Sequence, residues 1–149
     1  MSISFDDFLK RVKGSGELLF DNTNVAMTKN ALRMEADGKL NATTFPRVQT
    51  GRLRNSIQGI VGTDFSGNLM LILRAGGLNF AGDNPTIDPP ADVEYAKIQE
   101  VGGTTFFMGR DIRIIPKFYL RRARDKNLSK YQEDITKAGK LALEGKAFR

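Results

Sequence analysis

The chain predicts a mixed α+β fold. Helix-period apolar patterning runs through residues 4–36 and again through 118–145. Between them lie short β-competent runs separated by turns rich in Gly, Asp and Asn. A length of 149 residues favours one domain spanning 1–149. A domain of this size buries about 68–70% of the surface its unfolded chain exposes, so it needs no covalent staple.

Ser4 precedes Phe5, Phe8, Leu9 and Val12 at helical spacing, with Asp6 and Asp7 placed in the first turn, where acids suit the helix dipole. Gly14-Ser15-Gly16 is expected to interrupt this helix, which sets residues 1–16 apart as an N-terminal helical extension. A second helix is expected over 17–36, its apolar stripe carried by Leu18, Leu19, Val25, Ala31, Leu32 and Ala36 and its end marked by Asp37-Gly38. Residues 38–49 read as a loop. Thr50 then looks like the N-cap of a short helix reaching Ile57, with Leu53 and Ile57 four residues apart.

Ile60–Thr63 and Leu69–Arg74 flank Asp64-Phe65-Ser66-Gly67-Asn68, a hairpin signal. Leu69–Leu73 is apolar throughout. It therefore predicts either a central strand covered on both faces or an edge strand that meets a partner subunit. Residues 76–92, dense in Gly, Asp and Pro, predict a long loop of the kind that usually serves function. A short helix near Val93–Val101 follows, then Gly102-Gly103, a strand over Thr104–Met108, a turn at Gly109-Arg110-Asp111 and a strand over Ile112–Ile115. Pro116 ends that last strand because it has no N–H to donate. The last helix carries Leu128, Tyr131, Ile135, Ala138 and Ala142 as one stripe, with Lys126, Lys130, Lys137 and Lys140 off it.

The composition excludes much chemistry. There is no cysteine, hence no disulfide, thiolate nucleophile or thiolate metal site, and no histidine, the commonest base and metal ligand near neutral pH. No Asp-x-Asp-x-Asp-Gly loop marks a calcium site. The chain therefore predicts no catalytic, cofactor or metal site. No run approaches the ~20 apolar residues of a membrane span, and the acidic start Met1–Asp7 lacks the apolar core of a signal peptide, so synthesis in the cytoplasm is the expectation. The net charge of +6 is concentrated late in the chain: residues 110–149 hold 12 Lys and Arg against 5 Asp and Glu. That asymmetry fits a solvated helix face, an acidic protein partner or a polyanion.

Three motifs stand out. In Thr50-Gly51-Arg52-Leu53-Arg54, Thr50 caps, Gly51 permits a tight approach and Leu53 faces the core; no glycine-rich phosphate loop accompanies it. In Tyr95-Ala96-x-x-x-Glu100-x-Gly102, Tyr95, Ile98 and Val101 share a face and Gly102 supplies a positive φ after the helix. Glu100 is available for an ion pair with Arg52 or Arg54, and as a lone carboxylate it is a poor catalytic centre. In Pro116-x-Phe118-x-Leu120-Arg121-Arg122, a helix entry leads into a basic run. That run invites a nucleic-acid reading, but no reading helix or base-stacking platform supports it.

In type, order and spacing these landmarks resemble the tail-completion, or head–tail joining, family of tailed bacteriophages, also called minor tail-component proteins. The resemblance rests on Thr50, Gly51 and Leu53; on Tyr95, Ala96, Glu100 and Gly102; and on Pro116, Phe118 and Leu120. It covers residues 17–143 in layout. The first 16 residues and the length of 76–92 depart from the pattern. The resemblance implies a small antiparallel sheet packed against two or three helices, with a long C-terminal helix. It implies a structural virion protein at the head–tail junction, assembled in the host cytoplasm as a homo-oligomeric ring, a hexamer ahead of a dodecamer. Such a ring joins the connector or adaptor to tail-terminator or tail-tube proteins and lets DNA pass with only transient, non-specific contact. The alternative is a small basic nucleic-acid-binding protein. Candidate interface residues are Leu69, Leu71 and Leu73 on the apolar strand, Leu78 and Phe80 in the long loop, and Arg121 and Arg122 at the basic helix. An uncovered apolar strand beside a Pro/Gly loop is otherwise an aggregation hazard.

Overall fold

The computed structural model describes residues 5–44, 52–75 and 95–149; the side chains of residues 5–11, Arg52, Tyr95, Thr105 and Phe107 are not among what it describes. The fold is α+β. In order it comprises α1 (Phe5–Thr44), α2 (Arg52–Asn55), β1 (Gln58–Thr63), β2 (Leu69–Arg74), α3 (Tyr95–Val101), β3 (Gly103–Phe107), β4 (Arg110–Ile114) and α4 (Tyr119–Leu143).

The two long helices form the frame. α1 is one continuous helix of 40 residues, where a break at Gly14-Ser15-Gly16 and a stop at Asp37-Gly38 were expected. Gly14 and Gly16 face open space, so each costs only the roughly 1 kcal/mol of a helical glycine. The Asp37-Gly38 stop is overridden by tertiary contacts. Gly38 is buried where a Cβ would meet Ile57 at 3.2 Å and Leu120 at 3.7 Å. Asp37 accepts hydrogen bonds from Lys126 Nζ (2.7 Å) and Asn127 Nδ2 (2.6 Å).

α1 packs against α4 along a seam that recurs every four residues: Asn22, Ala26, Asn30, Met34, Gly38 and Ala42 on α1, answered by Tyr119, Ala123, Asn127, Asp134, Ala138 and Ala142 on α4. Such rows form the i±4 ridges of helix packing, and their small side chains let the backbones approach closely. Polar rungs set an antiparallel register. Asn22 Nδ2 donates to Ala138 O (3.3 Å), Asn30 Nδ2 to Asp134 Oδ2 (3.0 Å), Asn127 Nδ2 to Asp37 Oδ2 (2.6 Å) and Asn41 Nδ2 to Tyr119 O (3.1 Å). Each step up α1 is a step down α4. A one-turn slip would strand every rung, and a buried polar group without its partner costs about 1–3 kcal/mol.

The apolar stripe expected on α1 is therefore turned outward. Of its members only Ala31 is buried; Leu19, Val25 and Leu32 are exposed, Leu32 by 59%. The stripe expected on α4 is half right: Ala138 and Ala142 are buried and Tyr131 and Ile135 half-buried, but Leu128 is exposed. Lys126, Lys130, Lys137 and Lys140 lie on the outer side as expected.

The acids of the seam make it sensitive to pH. Burial alone would raise the Asp134 carboxyl. Hydrogen bonds from Asn30 and Arg33, with the charges of Lys130 and Arg33, outweigh that and hold it below the ordinary carboxylate value. A carboxyl lowered in the folded state stabilises fully above its unfolded pKa of about 3.9, and the contribution is lost as pH falls through the folded value. Stability should therefore drop as the pH falls below about 4. Asp134→Asn should be less stable at pH 7 and should show a shallower acid limb in urea melts; parallel limbs would remove Asp134 from the acid transition.

The strands form two separate antiparallel ribbons, β1–β2 and β3–β4, where one small sheet was expected. The first runs from Gln58 opposite Arg74 to Thr63 opposite Leu69. Its loop is tied by Asp64, whose Oδ1 accepts from the N–H groups of Ser66 and Asn68. β1 lies directly on α1. Gly59 N–H donates to Glu35 Oε2 (2.9 Å), and a Cβ on Gly59 would sit 2.1 Å from Ala31 O. The second ribbon pairs Gly103 with Ile114 and Phe107 with Arg110. β4 ends at Ile114, two residues before Pro116. The short helix expected to reach Ile57 is a single turn, with Ile57 buried just beyond it.

Two apolar clusters result. One gathers Ala42, Leu53, Ile57, Ala96 and Tyr119; the other gathers Ala26, Ala138 and Phe148. The C-terminal segment closes the second. Gly145 (φ +70) turns the chain after α4, with Lys146 N–H bonded to Leu141 O (2.8 Å) and Gly145 N–H to Ala142 O (3.0 Å), a Schellman motif. Asn22 Oδ1 then accepts from Phe148 N–H (2.8 Å) and Asn22 Nδ2 donates to Lys146 O (2.9 Å).

Candidate functional site

The three sequence motifs converge on the N-terminal end of α4. Phe118, the residue before α4, has φ 52 and offers no side-chain cap. The cap comes from α3. Glu100 Oε2 accepts from Leu120 N–H (2.9 Å) and Oε1 from Arg121 N–H (3.0 Å). The backbone carbonyls of Gln99 and Glu100 take Lys117 N–H (2.8 Å) and Phe118 N–H (3.1 Å). A carboxylate on these N–H groups satisfies orphan donors and suits the helix dipole. Glu100 is thus a structural clasp from one helix to another. Glu100→Ala should lower stability by about 0.5–2 kcal/mol, the cost of losing an N-cap. Glu100→Gln should retain part of it, and denaturant midpoints unchanged in both would overturn the role.

Gly102 ends α3 with φ +76, donating to Ile98 O (2.8 Å). A Cβ there would lie 2.7 Å from Pro116 Cδ and 2.9 Å from Ile114 O, so glycine is required for conformation and for space. Ala96 is buried and its carbonyl accepts from Tyr119 Oη (3.2 Å). Leu53 is buried in the same cluster, with Leu120 packed against it. Arg121 sits over the Phe118 ring at 4.6 Å, and Arg121 and Arg122 are exposed. Tyr95 begins α3. Thr50, Gly51 and the whole loop at 76–92, Leu78 and Phe80 included, lie outside the described residues. Tyr119, Asn22, Asn30 and Asp134 had no signal in the sequence, because they are single polar or aromatic residues whose partners lie about 20 to more than 100 residues away.

Among the described residues no group of three or more acids could hold a metal ion, and no helix is long and apolar enough to cross a membrane. The motifs support the fold, and the surface features left over are apolar. A groove of about 630 Å³ lies between α1, α4 and β2. Met27 and Met34 come from α1, and Leu120, Leu128 and Tyr131 from α4. Along β2, Leu69, Leu71 and Leu73 are half-buried while Met70 and Ile72 are exposed. All five consecutive residues, from both faces of the ribbon, line the groove, which therefore runs along the outer edge of β2. Glu100, Arg121 and Arg124 complete its lining.

The β3–β4 hairpin is the second such feature. Gly102 and Pro116 meet at its base, and three of its apolar side chains are bare: Phe106 is 72% and Met108 86% exposed, and Ile112 is exposed as well. Its turn is Met108-Gly109, with φ 50 and 78. Two positive φ values match the twist of a tight hairpin, but methionine is an ill-suited residue for the first of them.

No family model, curated protein or solved structure matches this chain.

Proposed function

We propose that the chain is a structural subunit of a tailed-bacteriophage particle, a tail-completion or head–tail joining protein. It assembles as a homo-oligomeric ring between connector and tail and encloses the path of the DNA. One observation carries the reading: the β3–β4 hairpin holds Phe106, Met108 and Ile112 in water. A lone two-stranded hairpin is marginally stable, and bare apolar patches mark interaction surfaces. An assembly subunit gives both a purpose. The motif landmarks fit the same reading: Leu53, Ala96, Glu100, Gly102 and Leu120 all serve the scaffold. Disrupting the gene in the parent phage should leave DNA-filled heads beside unattached tails in electron micrographs, restored by supplying the chain in trans. Normal particles in its absence would overturn the proposal.

The alternative, nucleic-acid binding, would draw on the basic face of α4. Much of that charge is engaged within the chain: Lys126 with Asp37 (2.7 Å), Lys130 with Glu133 (3.0 Å) and Arg124 with Asp125 (2.6 Å). A ring that DNA must traverse gains nothing from tight phosphate contacts, which weaken steeply with salt. The variant with Lys126, Lys130, Lys137 and Lys140 all changed to Gln should fold normally and join particles more slowly, most visibly at low salt. Sub-micromolar DNA binding by the wild type near physiological salt, lost in that variant, would favour the alternative.

A further inference from the structure

We propose that the β3–β4 hairpin of one copy docks in the groove along β2 of the next, so that the two ribbons become one four-stranded sheet across the subunit boundary. The inference rests on the ring reading and names the surfaces that would close the ring. Each half of the contact is present and incomplete on the same chain. Among the described residues β2 has one strand neighbour, β1, and its other edge faces an apolar groove. Among the described residues β3 likewise has one strand neighbour, β4, and its Thr104 and Phe106 are exposed. Unpaired edges recruit strands, and edge addition gives affinity through main-chain hydrogen bonds and specificity through alternate side chains.

The side chains suit each other. The groove offers Leu71, Leu73, Leu120 and Leu128, and the hairpin brings Phe106. β3 contains no charged residue, so an edge of Thr and Phe enters an apolar cleft without a charge to desolvate. Asp111, the register partner of Phe106, shares its face, and Arg121 in the groove's lining offers it an opposite charge. Met108 agrees with this: an apolar residue in a disfavoured conformation at an exposed tip is strain kept for a contact. Groove and hairpin are different patches, so the contact is heterologous, and repeated head-to-tail contacts close rings.

The absence of cysteine gives a clean test. Cysteines placed pairwise on β2 (Met70→Cys or Ile72→Cys) and β3 (Thr104→Cys or Phe106→Cys) should, on mild oxidation of the full chain, yield a ladder of covalent multimers from at least one pairing. The ladder should stop at the ring order. Mixing two single-cysteine variants, one from each strand, should give dimers only. Internal disulfides within monomers would overturn the proposal by placing the hairpin on its own groove, and ladders from no pairing would overturn it too. Phe106→Lys, an exposed position opposite Asp111, should keep the wild-type circular dichroism spectrum and lose association by sedimentation. Retention of the wild-type mass would sink the proposal. If the wild type associates while cross-links and Phe106→Lys fail as described, this interface falls and the ring reading stands. A wild type that stays monomeric at every concentration overturns the interface, while the ring reading is decided by the particles of the disrupted phage.

Discussion

Replacing Gly59 with valine should abolish folding near physiological temperature, and even Gly59→Ala should cost at least about 3 kcal/mol, the upper part of the usual range for overpacking. The reason is contact between backbones. Gly59 is in the extended β1 strand, and a Cβ would lie 2.1 Å from Ala31 O and 2.7 Å from its carbonyl carbon. A crowded side chain can rotate away, whereas the middle of a helix cannot. The only relief is to lift β1 off α1, which breaks the bond from Gly59 N–H to Glu35 Oε2 (2.9 Å). Domains typically retain only about 5–15 kcal/mol of stability, so the bulkier valine should exceed what the chain can absorb. Urea denaturation checks this, and a wild-type midpoint for the alanine variant would show that the ribbon does not ride on α1.

Leu53→Ala should cost about 2–5 kcal/mol, the lost transfer energy plus a cavity. Leu53 is 1% exposed and is held by Ile57, Ala42, Ala96 and Tyr119, which come from or flank four different helices. Ala42 and Ala96 are too short to refill the space, and Ile57 and Tyr119 are fixed from elsewhere, Tyr119 by its bond to Ala96 O (3.2 Å). The cavity should therefore persist, and the loss should fall toward the upper half of the range. A loss below about 0.5 kcal/mol, typical of surface positions, would show that the cluster collapses around the deletion or that Leu53 is not in it.

The sequence made the elements between the long helices easy to read, because local signals decide them. Asp64 and Gly67 build the first hairpin loop with their own side chain and φ, and β2 falls at Leu69–Arg74 as its apolar run suggests. Gly102 was legible for the same reason. The long helix α1 was not, since its length and facing are decided by a partner about a hundred residues away. Hydropathy finds leucine and valine, yet the buried seam uses Ala, Gly, Asn and Asp, chosen for size and hydrogen bonding. The stripe read as core, Val25 and Leu32 among it, is what the fold leaves outside. Glu100 was read as available for an ion pair with Arg52 or Arg54, when its role is to terminate the backbone of another helix. The geometric purpose of the described motif residues, among them Ala96, Glu100 and Gly102, emerged only in three dimensions.

The pairing of α1 with α4 joins opposite ends of the chain: Asn22 bonds to Lys146 and Phe148, and Asn30 to Asp134. During translation α1 emerges before α4, and its seam has no partner until residues 119–148 follow. Its seam is meanwhile exposed, while α2 and the β1–β2 ribbon can reach it early. Long-range closure of this kind slows folding in proportion to the loop that must be closed. A chain stopped before Tyr119 should carry a finished ribbon and an unmated helix, the type of intermediate that aggregates or calls for a chaperone. Synthesis of α4 thus acts as the trigger for the frame to lock.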